Sequence, residues 1–257
     1  MIEPNTLHCG DCLEVMQQIQ DESIDCIICD LPYGVLNKKS AGGAFDSIIP
    51  FEPLWEQYKR ITKPNSAIIL FAQGLFTAKL IMSQPKLWRY NLIWDKKLKS
   101  GFLNANRMPL RQHEDIVVFY KKLPTYNPQM IKCEPHKRCH GGSAGGNVVN
   151  RCYGNYVPTP TIISDEKFPS SIITFPKEHF NKKSYHPTEK PVNLLRYLIR
   201  TYTNENDVIL DNCMGSGSTC VAAIKENRKY IGIEKEPTYF DIAKRRIYDE
   251  LSQLHLF

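Results

Sequence analysis

The chain has 257 residues, 42% hydrophobic and 23% charged, with a formal net charge of +6, a balance that excludes wholesale disorder and permits a polyanionic partner without requiring one. A chain of this length buries about 70–75% of the surface its unfolded form exposes, so one α/β domain, with or without an insert, needs no disulfide or metal to hold it. No apolar run reaches the roughly 18–20 residues of a membrane span, and the opening MIEPNTLHCGDCLEV lacks a basic-then-apolar leader, so a cytoplasmic protein with no membrane partner is expected.

In chain order, Ser23 to Cys29 reads as a buried strand stopped by Asp30 and Pro32. Phe51 to Ile61 has helical spacing, Ala67 to Ala72 is a second buried strand, and Leu75 to Met82 a short helix. Strands follow at Leu92–Trp94 and Ile116–Tyr120. From 121 to 183 the texture changes to prolines, the run Gly141 to Gly146, and basic and polar residues without long periodicity, as in an irregular inserted loop region. Pro191 to Tyr202 is a helix with Val192, Leu194, Leu195, Leu198 and Ile199 on its apolar face. A strand (Val208–Leu210), a glycine turn, a helix (Ser218–Glu226), a strand (Tyr230–Glu234) and a helix from Pro237 complete the chain. This alternation predicts a largely parallel sheet with helices on both faces. Three segments result: 1–120, an insert at 121–183, and 184–257.

Asp211-Asn212-Cys213-Met214-Gly215-Ser216-Gly217-Ser218-Thr219 lies between a strand and a helix, where glycines let backbone approach a ligand and free amides face it. Glu234 closes the next strand, 19 residues after Gly215, where an acid accepts hydrogen bonds from ribose hydroxyls. Cys220 replaces the third glycine of a dinucleotide fingerprint and no P-loop lysine is present, which disfavours a nicotinamide cofactor or ATP. A tight turn with a solvated Glu is the bland alternative.

Asp30-Leu31-Pro32-Tyr33 follows the Ser23–Cys29 strand, at the sheet edge where ligands bind. Alone it is a weak signal, and a turn with a packed tyrosine is the commoner reading. With the glycine turn and Glu234 it resembles the catalytic D/N/S-P-P-Y/F motif of the amino-methylating DNA methyltransferases that use S-adenosylmethionine. The order, catalytic motif before cofactor turn, is similar to that of their beta class. His186 to Pro191 and Cys9-Gly10-Asp11-Cys12-Leu13-Glu14 also match.

The resemblance implies a Rossmann-like methyltransferase fold and transfer of methyl from S-adenosylmethionine to adenine N6 in double-stranded DNA by base flipping. Asp30, Leu31, Pro32 and Tyr33 would be catalytic. Asp30 and the Leu31 carbonyl would accept the amine N–H bonds, and Tyr33 would stack on the extruded base. Leu31 stands where the family has a proline and loses only the fixed φ. By the same carry-over Asp211, Cys213, Gly215, Gly217, Ser218 and Thr219 surround the methionine part of the cofactor. Glu234 holds the ribose, Asp11 and Cys12 lie against the adenine, and Lys190 meets the methionine carboxylate. The insert would read the DNA sequence, a homodimer is admissible, and a companion restriction enzyme is a family association. Cytosine-N4 methylation and a catalytically silent nucleic-acid-binding module are the rival readings.

Nine cysteines invite a metal reading. Cys9-x-x-Cys12 with Cys26-x-x-Cys29 mimics a zinc site, but residues three apart on a strand face opposite ways, so no metal is expected there. Cys133, His136, Cys139, His140 and Cys152 match no standard finger. Lys96, Lys97, Lys99, Arg107 and Arg111, interleaved with Trp94, Phe102 and His113, are a phosphate-contact surface or simply a solvated face.

Overall fold

A computed structural model describes residues 1–34, 46–140, 148–150, 154–156, 159–177 and 189–254. Two compact units are present, residues 1–127 with 171–257, and residues 128–170. The first unit begins with β1 (Thr6–Cys9), α1 (Cys12–Met16), β2 (Ile24–Cys29), α2 (Phe51–Ile61), β3 (Thr62–Ala72), α3 (Leu75–Ser83), β4 (Trp88–Ser100) and β5 (Arg111–Phe119). The second holds β6 (Ile131–His140), β7 (Val148–Asn150), β8 (Gly154–Tyr156) and β9 (Thr159–Lys167). The chain then returns through β10 (Ile172–Thr174), α4 (Val192–Tyr202), β11 (Val208–Asp211), α5 (Ser218–Lys225), β12 (Lys229–Glu234) and α6 (Pro237–Leu254).

The first unit is built on an eight-stranded sheet of order β1-β12-β11-β2-β3-β5-β4-β10. The strands from β1 to β3 are mutually parallel, β5 is antiparallel to both its neighbours, and β10 is parallel to β4. Because both faces are covered, β2 is an unbroken apolar run from Cys26 to Cys29 rather than alternating. Its side chains divide by parity: Cys26 and Ile28 enter one core cluster, Ile27 and Cys29 the other. Leu194, Leu198, Cys220 and Ala243 cover the first face from α4, α5 and α6. Met16, Trp55, Tyr58 and Leu80 cover the second from α1, α2 and α3. Each fully buried Leu or Ile contributes about 1.5–3 kcal/mol, so the apolar stripe of α4 is a principal anchor of its layer. The expected mostly parallel α/β sheet with helices on both faces is what forms.

Two expectations change. The compact second unit, 128–170, is narrower than the 121–183 insert. Its flanks belong to the first unit, where Asn127 N–H donates to Thr201 O (2.7 Å) and β10 joins the main sheet. Nor is the segment wholly irregular, since β6 pairs with β9 and β7 with β8, each antiparallel. Pro135 falls where the β6–β9 register shifts, between Lys132 and His136. A proline cannot donate to a ladder, and such ribbons bury too little to imprint a period, so the sequence hides them. Gly141 to Gly146, Cys152, His179, Lys182, Lys183 and His186 to Thr188 lie outside the described residues. Among those described, no helix is long and apolar enough to cross a membrane.

Candidate active site

Parallel strands align their C-terminal ends, so Cys9 lies beside Glu234, Asp211 beside Gly232, and Cys29 beside Leu70 along one edge. After β11 the chain turns into α5, whose apolar side chains pack on one face. After β2 it leads to α2 on the other face. Neighbouring strands whose loops diverge in this way open a crevice at the carboxyl edge.

On one side of the crevice stands Asp30. Tyr33 Oη donates to Asp30 Oδ1 at 2.7 Å, and the Lys190 ammonium bonds Asp30 Oδ2. Lys190 also lies 3.4 Å from Glu114 Oε2, while Lys96 holds Glu114 Oε1 at 3.1 Å. Among the described residues Glu114 Oε2 is buried without a hydrogen bond. Burial alone would depress the Lys190 pKa, but the Asp30 and Glu114 carboxylates outweigh it and raise the value. Burial likewise works against the Glu114 carboxylate, and the Lys190 and Lys96 ammoniums win, leaving its pKa lowered. Burial first, then the charge of Asp30, pushes the Tyr33 hydroxyl up, so it stays protonated and donating. The Tyr33 ring packs on Phe76 at 4.9 Å, tilted 30°. Leu31 is buried in the core under α2 and α3, which fixes the loop without the family's proline. Beside Tyr33 opens a cleft of about 420 Å³, lined also by Gln73, Gly74, Leu75, Arg111, His113, Glu114 and Asp115.

On the other side lie the ends of β1, β12 and β11. Asp11 caps α1 by accepting from Leu13 N–H at 3.0 Å and pairs with Lys235 at 3.0 Å, with Cys12 buried beneath. Glu234 accepts from Gly215 N–H through Oε2 and Glu236 N–H through Oε1, both at 2.8 Å. Burial still holds its pKa above the usual carboxylate value. Asp211 accepts from Cys213 N–H at 3.1 Å, and burial pushes its carboxyl up to about 7. Gly215 and Gly217 take φ of 52° and 81°, a region in which glycine is at ease. Asp11, Cys12, Asp211 to Thr219 and Glu234 are thus gathered along adjacent strand ends.

Two of the expected cofactor residues have a further role within the chain. Lys190 sits on the Asp30 carboxylate, because its position before α4 brings its buried ammonium to the half-buried Asp30 and Glu114, and opposite charges in a partly dry site attract strongly. Beside the Gly217 Cα stands α6: a Cβ there would lie 2.9 Å from Ala243 Cβ, so the glycine also serves helix packing. Within the basic stretch, Trp94 and Lys96 are buried and therefore no phosphate surface, since β4 is interior at that point. The parity of Cys26 and Cys29 across the sheet is as expected.

Several contributors carry no local signature. Arg246 of α6 donates to Ser216 O and Ser216 Oγ, both at 2.8 Å, and pairs with Glu189 at 2.8 Å. Glu189 in turn accepts from Ser218 Oγ at 3.0 Å. Tyr58 Oη donates to Asn212 Oδ1 at 2.6 Å, tying α2 to the glycine turn. Gly232 did carry a signal, as a glycine inside a strand: a Cβ would meet Met214 Sδ at 2.4 Å and Cys220 Sγ at 2.9 Å.

The family model described as DNA methylase, covering N6 and N4 enzymes, matches residues 24–245. The chain belongs to this DNA methylase family. It is 46% identical over 243 residues to the Escherichia coli (strain K12) protein named "Putative methylase YubD", covering 93% of this chain and 88% of that one. It is 28% identical to the E. coli (strain K12) DNA adenine methyltransferase YhdJ, over 95% of this chain and 83% of that one. Among solved structures, the cytosine-N4-specific PvuII DNA methyltransferase superposes with a TM-score of 0.69 at 16% identity, over 98% of this chain and 93% of that one. The M1.HpyAVI–SAM complex gives a TM-score of 0.62 at 22% identity, covering 94% and 98%. The resemblance drawn from Asp30–Tyr33 and the glycine turn is therefore borne out, and the chain is a DNA methyltransferase of the N6/N4 type.

Proposed function

We propose that the protein transfers a methyl group from S-adenosylmethionine to adenine N6 in double-stranded DNA. The observation that carries this reading is the Asp30 carboxylate, braced by Tyr33 and Lys190 beside a cleft of about 420 Å³. The other side of the crevice fits the cofactor. Backbone amides engage both Glu234 oxygens, and a carboxylate oxygen accepts more than one donor, so a ribose hydroxyl can also bond there. Asp11 and Cys12 stand beside it at the start of α1, where the adenine would lie. Asp211 and the turn to Thr219 would receive the methionine end. S-adenosylmethionine, when bound, supplies a methyl already activated by its positive sulfur.

The chain's own task is positioning and electrostatics. The lone pair of an exocyclic amine is delocalised into the ring. Asp30 and the Leu31 carbonyl would accept its two N–H bonds and so localise the pair for attack on the methyl. As the new N–C bond formed, the methyl–sulfur bond would break with its electron pair kept by sulfur as a neutral thioether, and the cationic nitrogen would shed one proton towards the Asp30 side. Lys190 holds the Asp30 carboxylate in place through its ion pair. Tyr33, held by Phe76, offers a ring against the base.

Adenine is favoured by the acid at position 30, by family analogy, and by similarity to a relative named as an adenine enzyme. The cytosine-N4 reading draws on the likeness to PvuII methyltransferase. Mass spectrometry of nucleosides from DNA incubated with the chain and S-adenosylmethionine separates them: N6-methyladenine is expected, and N4-methylcytosine in its place would reverse the assignment. The 128–170 unit is proposed to read the target sequence, as a loop-rich element carried by a rigid scaffold.

A further inference from the structure

Residues 101–110 connect β4 to β5, and their apolar side chains face water: Phe102 is 77% exposed, Leu103 84% and Met108 56%. Exposed apolar residues scattered singly are ordinary, but a cluster on one projecting tip is not. The tip is nonetheless built. Gly101 turns it with φ 87°, and a 3₁₀ turn follows at Phe102–Asn104. Asn104 N–H donates to Gly101 O, Ala105 N–H to Phe102 O, and Arg107 and Met108 N–H to Asn104 O, at 2.8–3.0 Å.

Its foot is braced. β4 advances from Asp95 to Ser100 while β5 moves only from His113 to Arg111, a bulge that re-aims the hairpin. Asp95 pins that bulge, accepting from Lys97 N–H (3.0 Å) and Gln112 Nε2 (2.9 Å) and pairing with the Lys97 ammonium (2.8 Å). The position is equally informative. β5 is antiparallel to β3, with Asp115 opposite Ala72, so β5 starts at the carboxyl edge of the parallel strands. Arg111, His113, Glu114 and Asp115 line the cleft with Tyr33. The tip that precedes Arg111 therefore rises from the rim of that cleft. Lys99 and Arg107 are exposed on its flanks.

We propose that this tip is a wedge for duplex DNA, with Phe102 and Leu103 entering the base stack at the position a target base vacates. The inference rests on the reading of the protein as a methyltransferase that extrudes its base from double-stranded DNA. Drawing a base out leaves a gap bounded by two apolar base faces, and an apolar side chain that fills it offsets the lost stacking. Lysine and arginine on either side meet the phosphates that border the gap. An ordered backbone means that little conformational entropy is lost on insertion.

The test uses the full chain, unaltered or carrying Phe102→Ser with Leu103→Ser. Modified-base sequencing of bacterial DNA treated with the unaltered chain supplies the target sequence. Two oligonucleotide duplexes are then made, one fully paired and one with an abasic position opposite the target base. Single-turnover methyl transfer by the double variant should fall about tenfold or more on the paired duplex and recover to within about twofold on the abasic one, where extrusion costs less. Both side chains are solvent-exposed, so melting temperature and S-adenosylmethionine affinity should stay unchanged. An unchanged rate on the paired duplex overturns the wedge, and so does an equal loss on both duplexes, which marks a general contact. If the unaltered chain methylates no DNA, the underlying reading falls and the wedge with it.

Discussion

Asp30 keeps both carboxylate oxygens engaged, one by Tyr33 and one by Lys190, so its geometry is set before any substrate arrives. Asp30→Ala should lower methyl transfer by about 10²–10³-fold or more, the scale of losing one preorganised polar group. Calorimetry should show S-adenosylmethionine affinity intact, because Asp30 lies outside the glycine turn. Lys190→Met should differ in kind. It leaves Glu114 and Asp30 without their shared cation, a change worth up to about 3–5 kcal/mol when the partners are fully buried and less here, since Asp30 is 23% exposed. Denaturant titration should therefore show lost stability in Lys190→Met and a smaller loss in Asp30→Ala, where Lys190 keeps Glu114. Asp211 gives a pH signature. Its carboxyl is raised from 3.8 to about 7 in the fold, so the stability linked to it is full below about pH 4 and is lost as pH rises towards 7. Each tenfold change in proton affinity is worth about 1.4 kcal/mol. Asp211→Asn should flatten the cofactor-free melting temperature across that window, and an unchanged slope would count against the raised value.

At the level of elements, the glycine turn is held from behind as much as from the cofactor side. Ala243 of α6 fills the space beside Gly217, and Arg246, one turn further along, fastens Ser216 and Glu189. Gly217→Ala should therefore destabilise the fold by about 1–3 kcal/mol, through overpacking against α6 and a side chain at φ 81°. Adding Ala243→Gly should return part of this loss by removing the clash, and not all, because the positive φ stays. Urea unfolding of the two variants measures both amounts. Were Gly217→Ala to weaken the cofactor alone, at unaltered stability, the packing role would be wrong. The same logic explains Gly232, where turn, helix and strand meet too closely for any side chain.

Across the whole molecule, the second unit can be removed in principle because the first unit holds both of its junctions. Asn127 bonds the end of α4 through Thr201 O, Arg200 O and Thr203 O, and Ser171 O accepts from Ile93 N–H at 2.7 Å. Replacing residues 128–170 by a short flexible linker should leave the melting temperature and S-adenosylmethionine affinity near those of the full chain. Methylation confined to particular DNA sites should disappear. Methylation of the same sites at the same rate would show that another part of the chain reads the sequence. Within this unit Lys132 is engaged with Asp165 (3.2 Å) and Glu166 (3.0 Å), so it is a poorer candidate for phosphate contact than net charge suggests.

The sequence by itself determined whatever depends on neighbours in the chain. The apolar run of β2, the stripes of α2 and α4, the glycines before α5 and the acid closing β12 each record which face is buried or where backbone must bend, so the fold class, the methylase motifs and most of the crevice were legible. The tertiary structure alone decided the pairings between distant segments: Lys190 with Asp30, Gly217 with Ala243, Arg246 with the turn, and the ribbons of 128–170. Their physical reason is common. Strand order sets which ends lie side by side, and a buried charge takes the partner that order brings within reach. An exposed ribbon buries too little to leave a period in the residues that form it.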